Sequence, residues 1–283
     1  MRSSAGERAD PAEWDVATPG RPGRVPGVGM AGFGVRRLTG LRMIPHPAVT
    51  LVLEFGAGRP VVDEAAGRRQ CGNLVAGLGS GFGGTVRVHG EHIECVQVRL
   101  SPPLARAVLG TDPGDLDGAT VALDDLWGRE ARRISEQLAE SSSWEDRFAL
   151  VEAVLARRGQ GRHPVEPEAA LAWNRIVHSR GRVRVDRLAA EIGWSRKRLW
   201  SRFRTQIGLS PKQAAKLARF DHAAHRLVAG EAAAWVAFES GYSDQSHLQR
   251  EVKAFTGATP AALSGAPWLT VDDVAWPRHE VPA

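Results

Sequence analysis

The pattern of apolar and polar positions changes character about halfway along the chain. Between residues 30 and 122, short apolar runs such as 48–55 are followed by alternating segments such as 96–100, where apolar residues alternate with Gln97 and Arg99. Period-two patterns of this kind predict β-strands, and the frequent glycines between them predict turns. We therefore expect a small β-barrel or sandwich in this region, with residues 89–92 as a hairpin turn between two strands.

Two helices are expected to follow the strands. Residues 124–140 carry apolar positions at helical spacing, and Ser143 can cap a second helix. This pair either closes the first domain or forms a dimer interface. A stretch with glycine, histidine and proline at 159–167 predicts a linker, and from residue 168 to about 263 the periodicity is helical throughout.

A first pair of short helices is predicted over residues 185–204. Gly193 ends the first helix and tolerates the positive φ that a tight turn requires, while Ala189 is small enough to sit where the two helices cross. Ser195 can cap the second helix, and Leu199 begins an apolar stripe that packs inward. This arrangement predicts a helix-turn-helix unit.

The opposite face of that second helix is basic and polar. A helix in a major groove presents such side chains to bases and phosphates, although an ordinary helical hairpin with a solvated basic face shows the same pattern. The residues that we assign to DNA binding on this face are Arg196, Lys197, Trp200, Ser201 and Arg204. Trp200 is unusual there, and the sequence leaves open whether it contacts a thymine methyl group or folds back onto the protein.

A second unit repeats the pattern about fifty residues further on. Ala237 precedes Gly241 by four residues, as Ala189 precedes Gly193, and the turn that follows is longer by one residue. Glutamine is suited to adenine, and arginine to guanine or phosphate. On the second recognition helix we assign DNA binding to Gln245, Ser246, Gln249 and Arg250.

The segment between the two units predicts a long helix with a defined start. Ser210 and Gln213 form a capping box, with Pro211 at the first helical position. A helix over 211–228 would be about 27 Å long at about 1.5 Å per residue. Recognition helices that enter adjacent major grooves lie about 34 Å apart, so this rod has the right size for a spacer.

Composition and charge narrow the class of protein. Residues 168–263 contain 16 Lys and Arg and 8 Asp and Glu, a net charge of +8, whereas the whole chain carries +5, so the remaining residues sum to −3. The positive charge therefore lies on the helical segment and favours a polyanionic partner for it. Two cysteines are too few for a disulfide framework, and neither a secretory signal nor a membrane-spanning run is present, so we expect a cytoplasmic protein.

The helical segment resembles the AraC/XylS family of transcriptional regulators. Residues 241–260 carry glycine–tyrosine, serine–aspartate–glutamine–serine, a lysine-bearing helix and then glycine and threonine–proline, and residues 208–211 match the family's segment before its linker helix. The resemblance covers about 95 residues. It implies two lobes, each with one recognition helix, and base contacts near Lys197, Trp200 and Ser201 and near the four residues of the second helix. Leu248 and Val252 depart from the family's usual aromatics.

The first domain more weakly resembles the regulatory domain of a subgroup of AraC-type proteins, through residues 99–102, 109–110 and 123–128. In the wider family such domains are often cupin-like barrels that bind an effector or dimerise. Together the two resemblances imply double-stranded DNA, RNA polymerase, a small-molecule effector and a second copy of the chain in a homodimer as partners. The lack of a membrane-spanning run adds the expectation of no membrane partner.

Candidate chemistry in the first half is sparse. The candidate metal ligands are His46, His89 and His92, near Glu91, Glu94 and Cys95. His89 and His92 with Glu91 lack the spacing of a cupin metal site, and solvated turn histidines account for the pattern. Neither a phosphate-binding loop nor a nucleophile elbow is present, so we predict no catalytic residue, no metal and no cofactor. The alternatives are a metal-dependent cupin-like enzyme and a DNA-repair protein with an appended DNA-binding module. The contexts of Cys71 and Cys95 argue against repair.

The predicted fold class is thus α+β, with a β-rich, cupin-like N-terminal domain followed by an all-α domain that has two helix-turn-helix units. We predict a disordered tail at 1–28, a regulatory or dimerisation domain at 29–158, a linker at 159–167, the DNA-binding domain at 168–264 and a C-terminal tail at 265–283.

Overall fold

The computed structural model describes residues 14–21, 23–64, 67–80, 82–83, 86–116, 118–160, 165–263, 271–272 and 274–276. It contains an antiparallel sheet in the first half of the chain and a helical domain in the second, which confirms the predicted fold class. Within these residues no helix is both long enough and apolar enough to span a bilayer.

Among the residues that the structure describes, eight strands form the sheet. Their bounds are β1 Trp14–Ala17, β2 Val28–Arg42, β3 Val49–Glu54, β4 Val61–Asp63, β5 Arg69–Cys71, β6 Leu74–Ala76, β7 Arg87–Leu100 and β8 Thr120–Ala122. The order is β1-β2-β7-β3-β6-β8, and β4 pairs with both β5 and β7. Strand β7 is therefore central: it pairs with β2 along one edge, and with β3 and β4 along the other.

The hairpin predicted at residues 89–92 is wrong, because these residues lie inside the continuous strand β7. Gly90 has φ 157° and His92 has φ 51°, and the register of β2 against β7 shifts between Leu38 and Leu41. A bulge of this kind bends a strand without ending it. The glycine and polar residues that indicate a turn in the sequence thus mark a bend in a long strand.

Both faces of the sheet are buried, one against helices and the other around a cavity. Val96, Val98 and Leu100 of β7 face the helices that pack on one side, in the principal core. On the other face, Cys95 belongs to a smaller cluster with residues of β2 and of the C-terminal tail. The alternation along β7 thus gives one row of side chains to the core and the other to a cavity.

Helices flank the sheet. They are α1 Pro102–Leu109, α2 Leu123–Trp127, α3 Arg129–Glu140 and α4 Trp144–Gly159, with a 3-10 turn at Pro113–Leu116. The single helix predicted at 124–140 is interrupted at Gly128, which has φ +58°. The predicted cap is confirmed, because the Ser143 side chain accepts a hydrogen bond from the Asp146 backbone at 3.1 Å.

The predicted disordered tail is corrected in part. Residues 14–17 form edge strand β1, whose Trp14 packs edge-on against Phe33 with ring centroids 6.0 Å apart. Only three residues of this strand are apolar, and among the surrounding glycines and prolines so short a pattern does not predict a strand. Residues 1–13, residues 161–164 of the predicted linker, and 264–270 and 277–283 of the C-terminal segment lie outside the described residues.

Seven helices build the described part of the second half. They are α5 Pro167–His178, α6 Val185–Glu191, α7 Arg196–Ile207, α8 Pro211–Val228, α9 Ala233–Glu239, α10 Gln245–Thr256 and α11 Pro260–Leu263. Their apolar faces join the sheet's principal core in one continuous cluster, which contains Leu109 as well as Leu209. The sheet and the helical domain are therefore packed against each other.

Candidate nucleic-acid interface and regulatory cavity

The first helix-turn-helix unit is formed by α6 and α7. Gly193 adopts φ +70° in the turn, and the Ser195 side chain caps α7 by accepting a hydrogen bond from the Arg198 backbone at 3.2 Å. Leu199, Phe203 and Ile207 are fully buried. The local signals in the sequence thus place this unit correctly.

The predicted face of α7 is solvent-exposed along its length, with Arg196, Lys197, Trp200, Ser201 and Arg204 all on the surface. Arg196 is held by Asp186 at 3.2 Å, in an ion pair whose members are both more than half exposed. The Trp200 side chain is 51% exposed, and the Arg204 guanidinium lies over its ring at 5.4 Å. The ring therefore stands on the surface and does not fold into the core.

Two further cations on α7 are engaged by the protein itself. Arg202 donates two hydrogen bonds to Glu166, at 2.9 and 2.6 Å, and Gln206 donates another to the same carboxylate. These hydrogen bonds, chiefly from Arg202, lower the pKa of Glu166 to about 2. Arg198 lies over the Trp194 ring at 4.7 Å. The charge of Arg202 is thus neutralised on the side of α7 that faces the start of α5.

The second unit is formed by α9 and α10. Gly241 has φ +76° in the turn, and the Asp244 side chain caps α10 by accepting a hydrogen bond from the His247 backbone at 2.7 Å. Leu248 and Val252 are fully buried. The side chains predicted for DNA contact are all exposed and lie in the first two turns of α10: Gln245, Ser246, Gln249 and Arg250.

A buried ion pair joins α10 to α8. The Arg219 guanidinium donates to both carboxylate oxygens of Glu251, at 2.8 and 2.9 Å, and lies over the Tyr242 ring at 4.7 Å. Burial raises the pKa of the Tyr242 hydroxyl well above its ordinary value, so the ring stays neutral. Sequence periodicity did not find this pair, because it places a charged residue on the buried face of a helix.

The spacer helix has the bounds that the sequence predicts. Helix α8 runs from Pro211 to Val228, and Ser210 and Gln213 form the reciprocal capping box. Three further arginines, not predicted from the sequence, add to the exposed positive surface at the first unit. Arg182 and Arg184 lie between α5 and α6, and Arg187 lies in α6.

A cavity of about 180 Å³ lies on the face of the sheet opposite the principal core. Apolar side chains such as Phe33, Val52 and Ile93 line most of it, while Arg99 and His46 lie at its wall. Burial raises the pKa of the Cys95 thiol to about 12, so this lining residue is protonated and unreactive. An apolar cavity with a few polar groups is typical of a small-molecule site.

The sheet half contacts the C-terminal ends of both recognition helices. A Cβ placed on Gly114 would lie 2.9 Å from the Arg204 carbonyl oxygen of α7, so the 3-10 turn touches that helix closely. At α10, Arg42 donates to the Thr256 carbonyl at 3.3 Å, and Phe82 packs edge-on against Phe255 with centroids 5.0 Å apart. The sheet half of the protein thus contacts both recognition helices, α7 and α10.

Comparison with known families defines the class of the helical half. Residues 188–265 match the family described as helix-turn-helix domain, which spans 78 of the 283 residues. Residues 188–265 therefore form a helix-turn-helix DNA-binding domain. It is of the AraC type, which confirms the resemblance carried by residues 208–211 and 241–260.

Solved structures give weaker likenesses. ToxT from Vibrio cholerae is 11% identical, with a TM-score of 0.49, covering 84% of this chain and 99% of ToxT. The C-terminal domain of AraT, a response regulator from Geobacillus stearothermophilus, is 19% identical over 35% of this chain and 85% of that domain, with a TM-score of 0.34. The AraC-like transcriptional activator CuxR is 16% identical over 68% of this chain and 80% of CuxR, with a TM-score of 0.31. Comparison with curated proteins gives no significant match.

Proposed function

We propose that this protein is a sequence-specific transcription regulator whose helices α7 and α10 enter successive major grooves of one duplex. The observation that carries the proposal is the pair of exposed recognition faces in one chain, joined by an 18-residue helix. A helix of that length measures about 27 Å, and the flanking units extend the separation toward the roughly 34 Å between adjacent grooves.

The two recognition helices carry different side chains for contacting DNA. On α7, we assign base contacts to Lys197, Trp200 and Ser201, and phosphate contacts to Arg196 and Arg204. On α10, the glutamines are suited to adenine and Arg250 to guanine. Phosphate contacts supply most of the affinity and base contacts most of the specificity, so binding weakens steeply as salt rises.

The cavity in the sheet is proposed as an effector site. A cavity of about 150 Å³ lined by apolar side chains is known to bind benzene, and the one here measures about 180 Å³. We therefore expect a small, largely apolar molecule, which approaches Arg99 and His46 with any polar group it has. A ligand of this kind stabilises the folded protein by RT ln(1 + [L]/Kd), so the free energy of unfolding rises with ligand concentration.

Contacts at both recognition helices provide the route from cavity to DNA. Gly114 of the 3-10 turn contacts the end of α7, and Arg42 of β2 contacts the end of α10. A shift of the sheet half would therefore change the position of both recognition helices. An effector acts in this scheme by favouring one of two placements.

Selection of bound DNA from a random library, with the full-length protein, tests the proposal. We expect enrichment of sites with two short elements about one helical turn apart. Failure to enrich any sequence at low and moderate salt would contradict it. A single element without a partner would show that only one helix reads bases.

The family resemblance supplies the remaining expectations. They are action in the cytoplasm on RNA polymerase, a second copy of the chain as partner in a homodimer, and regulation without catalysis. Each of these is a proposal for this chain, and the contacts described above carry none of them.

A further inference from the structure

A group of ionisable side chains lies at the junction of the sheet, the spacer helix and the C-terminal segment. His46 follows β2, Asp221 and His225 lie one turn apart on α8, and Asp272 lies in the short helical turn near the end of the chain. Their side chains are between 12% and 22% exposed. Distant parts of the chain thus bring four potential metal ligands to one half-buried place.

The donor atoms face one another. His46 Nδ1 is 2.9 Å from Asp221 Oδ1, and His46 Nε2 is 3.7 Å from Asp272 Oδ1. His225 Nε2 is 3.8 Å from Asp221 Oδ1 and 4.0 Å from Asp272 Oδ2. Donor atoms of His46, Asp221 and His225 all lie within 4.8 Å of one another.

These separations are close to those of a metal site. With bonds of about 2.0–2.1 Å, the ligand atoms of a tetrahedral zinc site lie about 3.3 Å apart. The distances here run from 2.9 to 4.0 Å, on both sides of that value, so small side-chain rotations would bring the donors to one ion. His46 and His225 offer imidazole nitrogens, and the two aspartates offer carboxylate oxygens.

An unsatisfied oxygen gives independent support. Asp272 Oδ2 is buried and has no hydrogen-bond partner among the described residues, although Oδ1 of the same carboxylate is paired with Arg99. A buried polar atom without a partner costs free energy, and this one points toward His225. Arg99 is in turn held over the Trp276 ring at 4.2 Å, so one carboxylate oxygen is fixed by the protein and the other is presented to the cluster.

Charge in the cluster favours a cation. Asp221 and Asp272 bring two carboxylates to it, and Arg99 is paired with Oδ1 of Asp272. A bound cation would offset the charge of the second carboxylate.

We propose that His46, Asp221 and His225 bind a divalent transition-metal ion of the zinc class, with Asp272 as a further carboxylate beside them. Imidazole and carboxylate donors suit Zn²⁺, Co²⁺ or Ni²⁺ better than Ca²⁺ or Mg²⁺, which prefer all-oxygen sites, or Cu⁺, which prefers thiolates. The ion links the sheet to α8 and to the C-terminal segment. It also fixes part of the cavity wall, to which His46 and Asp272 belong.

The test is a titration of full-length protein, stripped of metal and without a polyhistidine tag, with Zn²⁺ alone in a calorimeter. We expect about one ion per chain, and the same site should give a tetrahedral Co²⁺ absorption spectrum. His46→Ala and His225→Ala should each weaken binding at least about tenfold, since even groups that merely support ligands contribute that much. Zn²⁺ should also raise the Tm of the native protein, because it binds the folded state.

The matched control is His222→Ala, which removes a histidine of α8 that interacts with Arg180 outside the cluster. It should leave Zn²⁺ affinity unchanged. Circular dichroism checks the fold of each variant, and Asp221→Asn together with Asp272→Asn serves if a histidine variant unfolds. Absence of Zn²⁺ binding in the native protein, or equal binding by the His46→Ala/His225→Ala variant, overturns the proposal.

Discussion

At the scale of single residues, the first recognition helix shows what periodicity can and cannot predict. The exposed face of α7 follows from the spacing of Leu199 and Phe203, and the sequence assigns it correctly. Which of its cations remain available for DNA depends on partners distant in sequence. Arg202 is held by Glu166, 36 residues away, and no local signal in the sequence marks that pairing.

The Glu166 carboxylate should make stability depend on pH at acid values. Its pKa is about 2 in the folded protein against an ordinary value of 4.5, so its contribution is complete above about pH 4.5 and is lost as pH falls toward 2. Glu166→Gln should therefore lose less stability than the native protein over this range. Urea unfolding at pH 5 and pH 3 measures the difference; equal losses in both proteins would show that the ion pair contributes nothing.

Arg250 on α10 is expected to read a base. Arg250→Ala should cost about 1–3 kcal/mol of binding free energy on the selected site and much less on random DNA. Fluorescence anisotropy with both duplexes measures the two losses. Equal losses would make Arg250 a phosphate contact, and Lys253→Ala, which alters an exposed cation later on the same helix, is the matched comparison.

At the scale of elements, helices whose signals are local are predicted well. Helix α8 begins and ends where its capping box and apolar spacing place it, and Ser195 caps α7 as expected. The sequence predicts two strands and a turn where β7 is one strand, because pairing with β2, rather than its own residues, sets its continuity. The helix predicted at 124–140 is broken because Gly128 adopts a positive φ that periodicity does not reveal.

The Arg219–Glu251 pair should be the principal link between α8 and α10. Arg219→Ala leaves a buried carboxylate without its partner, which typically costs about 3–5 kcal/mol. The matched control is Arg175→Ala, because the Arg175 side chain is 57% exposed and its pair with Glu191 is therefore worth about 1 kcal/mol or less. Urea denaturation of both variants measures the free energy of unfolding, and similar values for the two would contradict the assignment.

At the scale of the whole molecule, one apolar core runs from the sheet into the DNA-binding domain. The sequence divides the chain near residue 160, but it contains no signal that the sheet half reaches the ends of both recognition helices. Those contacts join residues such as Gly114 and Thr205, whose proximity arises only from the three-dimensional packing. The junction cluster around His46 was missed for the same reason.

Gly114→Ala probes this junction. The new methyl group would lie 2.8 Å from the Thr205 carbonyl oxygen, so the 3-10 turn must move away from α7, at a cost of about 1–3 kcal/mol. DNA affinity should change together with stability. Gly159→Ala in α4, whose methyl group would lie at an ordinary 3.7 Å from Leu104, is the control that should leave DNA affinity unchanged and lose no stability. If Gly114→Ala changed neither stability nor DNA affinity, this contact would not constrain α7.

The central claim is that α7 and α10 read two separate elements of one site. Random-library selection with the native protein, with Lys197→Ala/Ser201→Ala and with Gln249→Ala/Arg250→Ala tests it most directly. Each double variant should lose base preference in only one of two elements, and the affected elements should lie about one helical turn apart. Loss of preference in the same element for both variants, or a uniform loss across the site, would contradict the account.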